Sequence, residues 1–282
     1  MEGWTETWRG IVAPWECDLT EHFTIAYYFD RLADAASAIG ASLGLTEAAP
    51  SAKRRFDVRF VRELRAGASF HILSAPIALD EDQLRVGHQI IDSADGAVTA
   101  WVEETLSIPT VQLPHDTRHA LNGRLLPWPG PAVEPRPEPS TAQGFIVTVR
   151  DRVKPPDLDP DGNFSLAAFV HRFTAACMQG LAAIGATAAY LHAERRGYST
   201  FELALQIARL PRSGSRVLVE TGIVHLGNSS IRFLHRMTDP SDGSELALLS
   251  QFGVQLDLDA RRPAPLPEPL RAVATRLVIP IG

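Results

Sequence analysis

The sequence predicts a duplicated α+β protein, built from two copies of one strand-and-helix unit, on three observations. These are an internal repeat, an apolar helical stripe present in both halves, and strand-like runs after each stripe separated by turn residues. At an offset of 141 positions, Asp18 falls on Asp159, Phe23 on Phe164, Ala26 on Ala167, Arg31 on Arg172, Ala35 on Ala176 and Gly44 on Gly185. At an offset of 147, Gly67 falls on Gly214, Leu79 on Leu226, Arg85 on Arg232, His88 on His235, Asp92 on Asp239 and Gly96 on Gly243. The change of register needs only a longer loop between helix and sheet, and loop length is thermodynamically cheap.

The helix comes first in each copy. Ile25, Tyr28, Phe29, Leu32, Ala36, Ile39 and Leu43 keep one apolar face, and Leu166, Phe169, Val170, Phe173, Cys177 and Ile184 repeat it. Thr24 and Ser165 stand at equivalent N-cap positions. Strands are expected at 56–62, 69–79, 84–92 and 98–108, and again at 201–208, 216–226, 231–238 and 246–256. Asp80-Glu81-Asp82, Gly227-Asn228-Ser229 and the two Asp-Gly pairs at 95–96 and 242–243 supply the hairpin turns. Between the copies, residues 109–139 hold eight prolines, the composition of an extended connector. The expected domains are therefore 1–108, a connector at 109–144, and 145–282 ending in a Pro-rich tail.

Composition narrows the function. With 282 residues the chain is long enough for two small cores. A net charge of −6 gives no whole-chain footprint for nucleic acid. No apolar run approaches the ~18 residues of a membrane helix, and the N-terminus lacks the apolar core of a secretory signal. Cys17 and Cys177 match no metal or redox spacing. No His/Cys/Asp cluster has metal-ligand spacing and no glycine-rich phosphate loop occurs, so no cofactor is expected. A cytoplasmic protein is the reading these features favour.

The segment Trp8-Arg9-Gly10-Ile11-Val12 to Pro14-Trp15-Glu16-Cys17-Asp18, followed by His22 and Ala26-Tyr27-Tyr28, resembles the opening of hotdog thioesterases of the 4-hydroxybenzoyl-CoA thioesterase type. The run Phe56 to Gly67 is similar to that family's sheet. The resemblance implies a double hotdog: two units, each a long helix wrapped by antiparallel sheet, packed as an intrachain pseudo-dimer. It implies hydrolysis of an acyl-CoA thioester, with coenzyme A present only as part of the substrate. It also implies either a monomeric pseudo-dimer or a higher homo-oligomer. Both copies depart from the family pattern. Glu21-His22-Phe23-Thr24 stands where the family has Gly-His-Met-Asn, and the second copy keeps Gly162 but has Asn163 in place of the histidine.

Thioester hydrolysis needs a base or nucleophile and a site for the oxyanion. On the resemblance, Asp18 is the base or nucleophile, and the amides near Phe23, Thr24 and Ala26 at the helix start receive the oxyanion. Asp159 has the same place in the second copy, where Asp157 and Asp161 compete with it. His22 orients either the thioester carbonyl or Asp18, or makes an ordinary polar contact. Asn163 donates to a carbonyl or caps a turn, and Tyr27 touches substrate or packs along its helix. His88 and His235 read as a structural position kept in both copies. Arg54 and Arg55, with Lys53, and the pair Arg195-Arg196 precede equivalent strands and are candidates for the coenzyme A phosphates, against the bland reading of solvated charge. Non-catalytic binding of an acyl thioester is the alternative function, and a hotdog hydratase or dehydratase ranks below it. Because the two loops have drifted differently, the halves are expected to be functionally unequal.

Overall fold

The computed structural model describes residues 2–18, 20–45, 53–110, 113–135, 139–140 and 143–281. The chain divides into two compact units, Met1–Val133 and Glu134–Gly282, so the boundary falls inside the Pro-rich segment. In unit 1 the elements run β1 (Thr5–Ile11), α1 (Ile25–Ser42), β2 (Lys53–Phe60), β3 (Ser69–Leu79), β4 (Gln83–Asp92), β5 (Val98–Ser107) and α2 (His115–Asn122). In unit 2 they run β6 (Ile146–Arg152), α3 (Leu166–Ala183), α4 (Ala188–Ala193), β7 (Arg196–Ile207), β8 (Arg216–Leu226), β9 (Ser230–Thr238), β10 (Glu245–Asp257), β11 (Arg262–Pro263) and α5 (Glu268–Arg276).

The two units share one topology. Unit 1 orders its strands β1-β3-β4-β5-β2 and unit 2 orders them β6-β8-β9-β10-β7, with every neighbour antiparallel. Each is a five-stranded sheet covering one 18-residue helix, with the two-residue β11 added to β10 in unit 2. The hotdog architecture and its duplication are thus as expected. Apolar burial explains the packing. Ala26, Tyr28, Phe29, Leu32, Ala35 and Ile39 of α1 are buried, as are Leu166, Phe169, Val170, Phe173, Cys177 and Leu181 of α3. Each fully buried large side chain contributes roughly 1.5–3 kcal/mol.

Differences from the expectations are local. The strands β2 and β7 begin at Lys53 and Arg196, so Lys53, Arg54, Arg55 and Arg196 lie inside the strands they were expected to precede, and Arg195 lies in the turn before β7. The 109–144 segment is not extended throughout: α2 forms in it and buries Leu121 against Ile39, Leu84 and Leu106. Trp128 then lies over Gly87, where any Cβ would come within 2.5 Å of the indole. Pro137 lies outside the described residues. The Pro-rich tail likewise includes α5, whose Ala274 joins the core of unit 2 with Leu181 and Phe233. Short helices anchored by one or two apolar residues are masked by flanking prolines in a periodicity reading.

Under each helix runs a buried polar chain. In unit 1, Thr7 Oγ1 lies 2.7 Å from Ser74 Oγ, which lies 2.7 Å from His88 Nδ1, and His88 Nε2 is 3.3 Å from Glu104 Oε2. Arg54 completes the chain, with Nε and Nη2 2.7 and 2.6 Å from Glu104 Oε1. In unit 2, Thr148, Thr221 and His235 repeat the first three members at 2.8 Å each. Gln251 then replaces the glutamate, and Thr200, which takes the place of Arg54 in the strand register, accepts its amide at 2.7 Å. The histidines are therefore parts of the core, the structural position their repetition suggested.

The neutral version has a measurable consequence. Burial lowers His235 from 6.5 to about 3, so the folded protein keeps this imidazole neutral while the unfolded chain takes up a proton below pH 6.5. The unfolded state binds more protons in that interval, and the contribution is fully present above pH 6.5 and lost as pH falls toward 3. The expected slope from this group is about 1.4 kcal/mol per pH unit between those limits. Urea unfolding of the wild type and of His235→Gln across pH 4–7 checks it: the variant should show the shallower acid limb.

Candidate active site at the start of the long helix

The chain enters each long helix through the same turn. Pro14–Glu16 and Pro155–Asp157 form single 3-10 turns, closed by Glu16 Oε2 accepting from Ala13 N at 2.9 Å and Asp157 Oδ2 accepting from Lys154 N at 2.7 Å. The same carboxylates reach into the helices. Glu16 pairs with Arg31, and Asp157 accepts from Arg172 Nη1 and Nη2 at 2.7 and 2.6 Å. Burial raises the Asp157 carboxyl, but the bonds from Arg172 and the Lys154 amide together hold it below the usual range. Asp157 is thus committed to the clamp between loop and helix.

Asp18 and Asp159 begin the next turn. Asp18 Oδ1 accepts from Thr20 N at 2.8 Å, Thr20 Oγ1 at 2.6 Å and His22 N at 3.2 Å. Asp159 Oδ1 accepts from Asp161 N at 3.0 Å and Asn163 N at 2.8 Å. In each loop the aspartate amide also donates to the carbonyl of residue 22 or 163, at 2.9 and 2.8 Å. The turn needs a left-handed residue, which is Gly162 at φ +80° in unit 2 and Glu21 at φ +64° in unit 1.

The side chains differ more than the backbone. In unit 1, His22 Nε2 is paired with the Glu63 carboxylate and lies 3.3 Å from Arg65 Nη2. Arg65 also approaches Glu63 at 3.4 Å and Glu21 at 3.6 Å. A backbone bridge between His22 and Arg65, with Phe23 N donating to Leu64 O at 2.8 Å, fixes the two segments side by side. His22 therefore reaches Glu63 through its ring and Asp18 through its amide. Glu63 and Arg65 were missed in the sequence. Their one signal was adjacency to Gly67, the repeat glycine that turns the chain into the next strand. In unit 2 the corresponding positions hold Asn163, Leu210 and Arg212, so the imidazole–carboxylate pair exists only in unit 1.

The remaining candidates fall as follows. Phe23 is buried against Tyr28 and Phe70 at ring distances of 4.5 and 5.5 Å, and Tyr27 stacks on it at 6.2 Å. Thr24 occupies the N-cap of α1 but its hydroxyl makes no capping bond, whereas Ser165 Oγ accepts from Ala168 N at 3.1 Å on α3. The Phe23 and Thr24 amides are spent on Leu64 O and Glu16 O, which leaves the first-turn amides of Ile25 and Ala26 as the ones to meet an oxyanion. Burial pushes the Cys17 thiol up, so it is no thiolate nucleophile. The basic residues proposed for phosphates are paired inside their own units: Arg54 with Glu104, Arg55 with Asp57 at 2.6 Å, Arg195 with Asp259 at 3.1 Å and Arg196 with Asp257 at 2.5 Å. Among the described residues no group of three His, Cys, Asp or Glu side chains could hold a metal ion. No helix among the described residues is long and apolar enough to cross a membrane.

Residues 153–273 match the family model of the thioesterase-like superfamily. The matched stretch lies within the second unit. Over the chain as a whole, an acyl-ACP thioesterase from Bacteroides thetaiotaomicron aligns with a TM-score of 0.66 at 11% identity, over 87% of this chain and 96% of the other. The 12:0-ACP thioesterase of Umbellularia californica aligns at 0.64 and 12% identity, over 91% and 99%. A Lactobacillus plantarum structure with a provisional oleoyl thioesterase assignment aligns at 0.66 and 14% identity, over 89% and 96%. No curated protein sequence matches the chain. At these identities the likeness shows the fold, a double hotdog, across both units.

The left-handed Glu21 makes a direct test of the loop geometry. A side chain at this φ costs about 1–2 kcal/mol that glycine avoids, and the exposed Glu21–Arg65 pair returns at most about 1 kcal/mol. Glu21→Gly is expected to stabilise the protein by about 1 kcal/mol, read from the denaturation midpoint at unchanged slope.

Proposed function

We propose that the chain hydrolyses an acyl thioester and that the chemistry belongs to unit 1. The observation that carries this reading is the His22–Glu63 pair beside Asp18, at the start of a helix whose N-cap hydroxyl makes no capping bond. The match of residues 153–273 to the thioesterase-like superfamily supports the reaction class. In this mechanism Asp18 Oδ1 holds the turn and Oδ2 takes the proton from a water that attacks the thioester carbonyl carbon. The oxyanion develops toward the Ile25 and Ala26 amides, where the helix dipole favours negative charge. Collapse of the tetrahedral intermediate breaks the C–S bond. His22, held by Glu63, relays the proton taken up by Asp18 to the departing thiolate, giving free acid and thiol. Coenzyme A is the thiol expected from the sequence, and the thioesters of a carrier protein stand beside it.

A binding function without turnover is the second reading, because Asp18 Oδ1 is already spent on three loop donors. An assay of thiol release across acyl lengths, on both coenzyme A and carrier-protein thioesters, separates the two. Asp18→Asn is expected to lose roughly 10²-fold or more in turnover, in the range of general-base removal, with Glu63→Gln falling in the same direction. Asp159→Asn is expected to leave turnover near wild type. Unchanged turnover in a folded Asp18→Asn protein would sink the assignment, equal losses from both aspartates would remove the asymmetry, and binding without cleavage of any thioester would favour the second reading.

A further inference from the structure

Most guanidinium groups of this acidic chain are committed to carboxylates: Arg31 to Glu16, Arg54 to Glu104, Arg62 to Asp92, Arg172 to Asp157 and Arg232 to Glu202. Four that are not lie together in unit 2. Arg150 and Arg152 on β6, Arg216 on β8 and Arg212 in the turn before β8 are all exposed and have no carboxylate partner among the described residues. Arg152 and Arg216 are direct cross-strand partners, an arrangement of like charges that destabilises a sheet. Asp151 points toward α3, where it meets Arg172 at 3.1 Å. Strand alternation therefore turns Arg150 and Arg152 to the opposite, solvent face, roughly 7 Å apart along the strand.

The repeat gives this cluster its meaning. In unit 1 the cross-strand pair equivalent to Arg152 and Arg216 is Ile11 and Ser69. Arg9, equivalent to Arg150, is bonded to Glu6 at 2.6 Å, and Arg65, equivalent to Arg212, is held near Glu63. The same edge is thus neutralised or uncharged in the unit that keeps His22 and Glu63, and openly cationic in the unit that lacks them. The cluster lies on an open sheet face. The shallow cleft beside it is lined by Arg216 together with Asp239, and bonds from Ser241 hold that carboxyl below its usual range. A fixed carboxylate there disfavours a nucleotide's phosphates, and phosphate sites use concave backbone cradles that a flat strand pair lacks. Separated cations on a flat face suit a broad acidic surface and its electrostatic steering.

We propose that this edge of unit 2, formed by Arg150, Arg152, Arg212 and Arg216, docks the acidic surface of a protein that carries the acyl group as its thioester. The proposal rests on the thioester-hydrolase reading and divides the labour of the duplicated chain, with chemistry in one unit and recognition in the other. The test uses the full-length protein with Arg150→Glu/Arg152→Glu, and with Arg150→Gln/Arg152→Gln as a milder pair that keeps the fold if reversal harms it. With an acyl group on an acidic carrier protein, kcat/KM should fall about tenfold or more on reversal at low salt, and the difference should shrink at high salt. With the same acyl group on coenzyme A, kcat/KM should stay within about twofold of wild type. Binding of the unacylated carrier protein, followed by calorimetry, should weaken in parallel. Equal losses on both thioesters, or no loss on either, would overturn the proposal. If no thioester is cleaved but carrier binding is present and lost on reversal, the docking surface stands and the hydrolase reading falls.

Discussion

Each unit depends on one constraint: an 18-residue helix must be covered along its length by a sheet only five strands wide. Burying the apolar face of that helix brings the loop at its N-terminal end against the core, where the desolvation of Asp157 is offset by its bonds from Arg172. The carboxylate–guanidinium clamp, Glu16 with Arg31 and Asp157 with Arg172, then ties the entering loop to the helix it precedes. The turn governed by Asp18 or Asp159 follows from that clamp. Both copies keep this frame, down to the amide bonds accepted by the aspartate.

Because the frame is shared, the differences between copies are chemical and not architectural. His22, Glu63 and Arg65 stand in one loop, and Asn163, Leu210 and Arg212 in the other. A side chain can change at these positions without disturbing the turn, since backbone bonds and buried phenylalanines hold it. Even the left-handed position accepts Glu21 at modest strain. Catalytic candidates and inert replacements can therefore occupy the same scaffold, which is why likeness of fold alone does not assign the chemistry.

Much of the fold was legible. The helices and the meander obey periods of 3.6 and 2, and strands 69–79 and 216–226 fall as read, because alternation and turn residues agree there. The site was legible only in part. Asp18, Asp159 and His22 precede a helix and are visible as a local pattern. Glu63 is not, because its partner His22 lies 41 positions earlier and only the bridge between the two segments joins them. The ion pairs of the arginines were hidden for the same reason. Arg54 looks free in the sequence, and its partner Glu104 is 50 positions away on a neighbouring strand. The short helices α2 and α5 escaped because each rests on a few apolar contacts among prolines.

The buried polar chains under the helices carry a history. Glu104 with Arg54 in one unit and Gln251 with Thr200 in the other are alternative solutions, one ionic and one neutral, at equivalent places. Moving between them by single replacements passes through a carboxylate left with only its histidine or a guanidinium left without its carboxylate, and removing one member of a buried pair typically costs about 3–5 kcal/mol. Few domains tolerate that loss. The two positions form an epistatic pair: whichever state the ancestral unit had, the exchange required both substitutions in close succession or a third residue that shielded the intermediate. Chimeras that swap one strand between the units would meet this barrier, while exchange of both strands together would not.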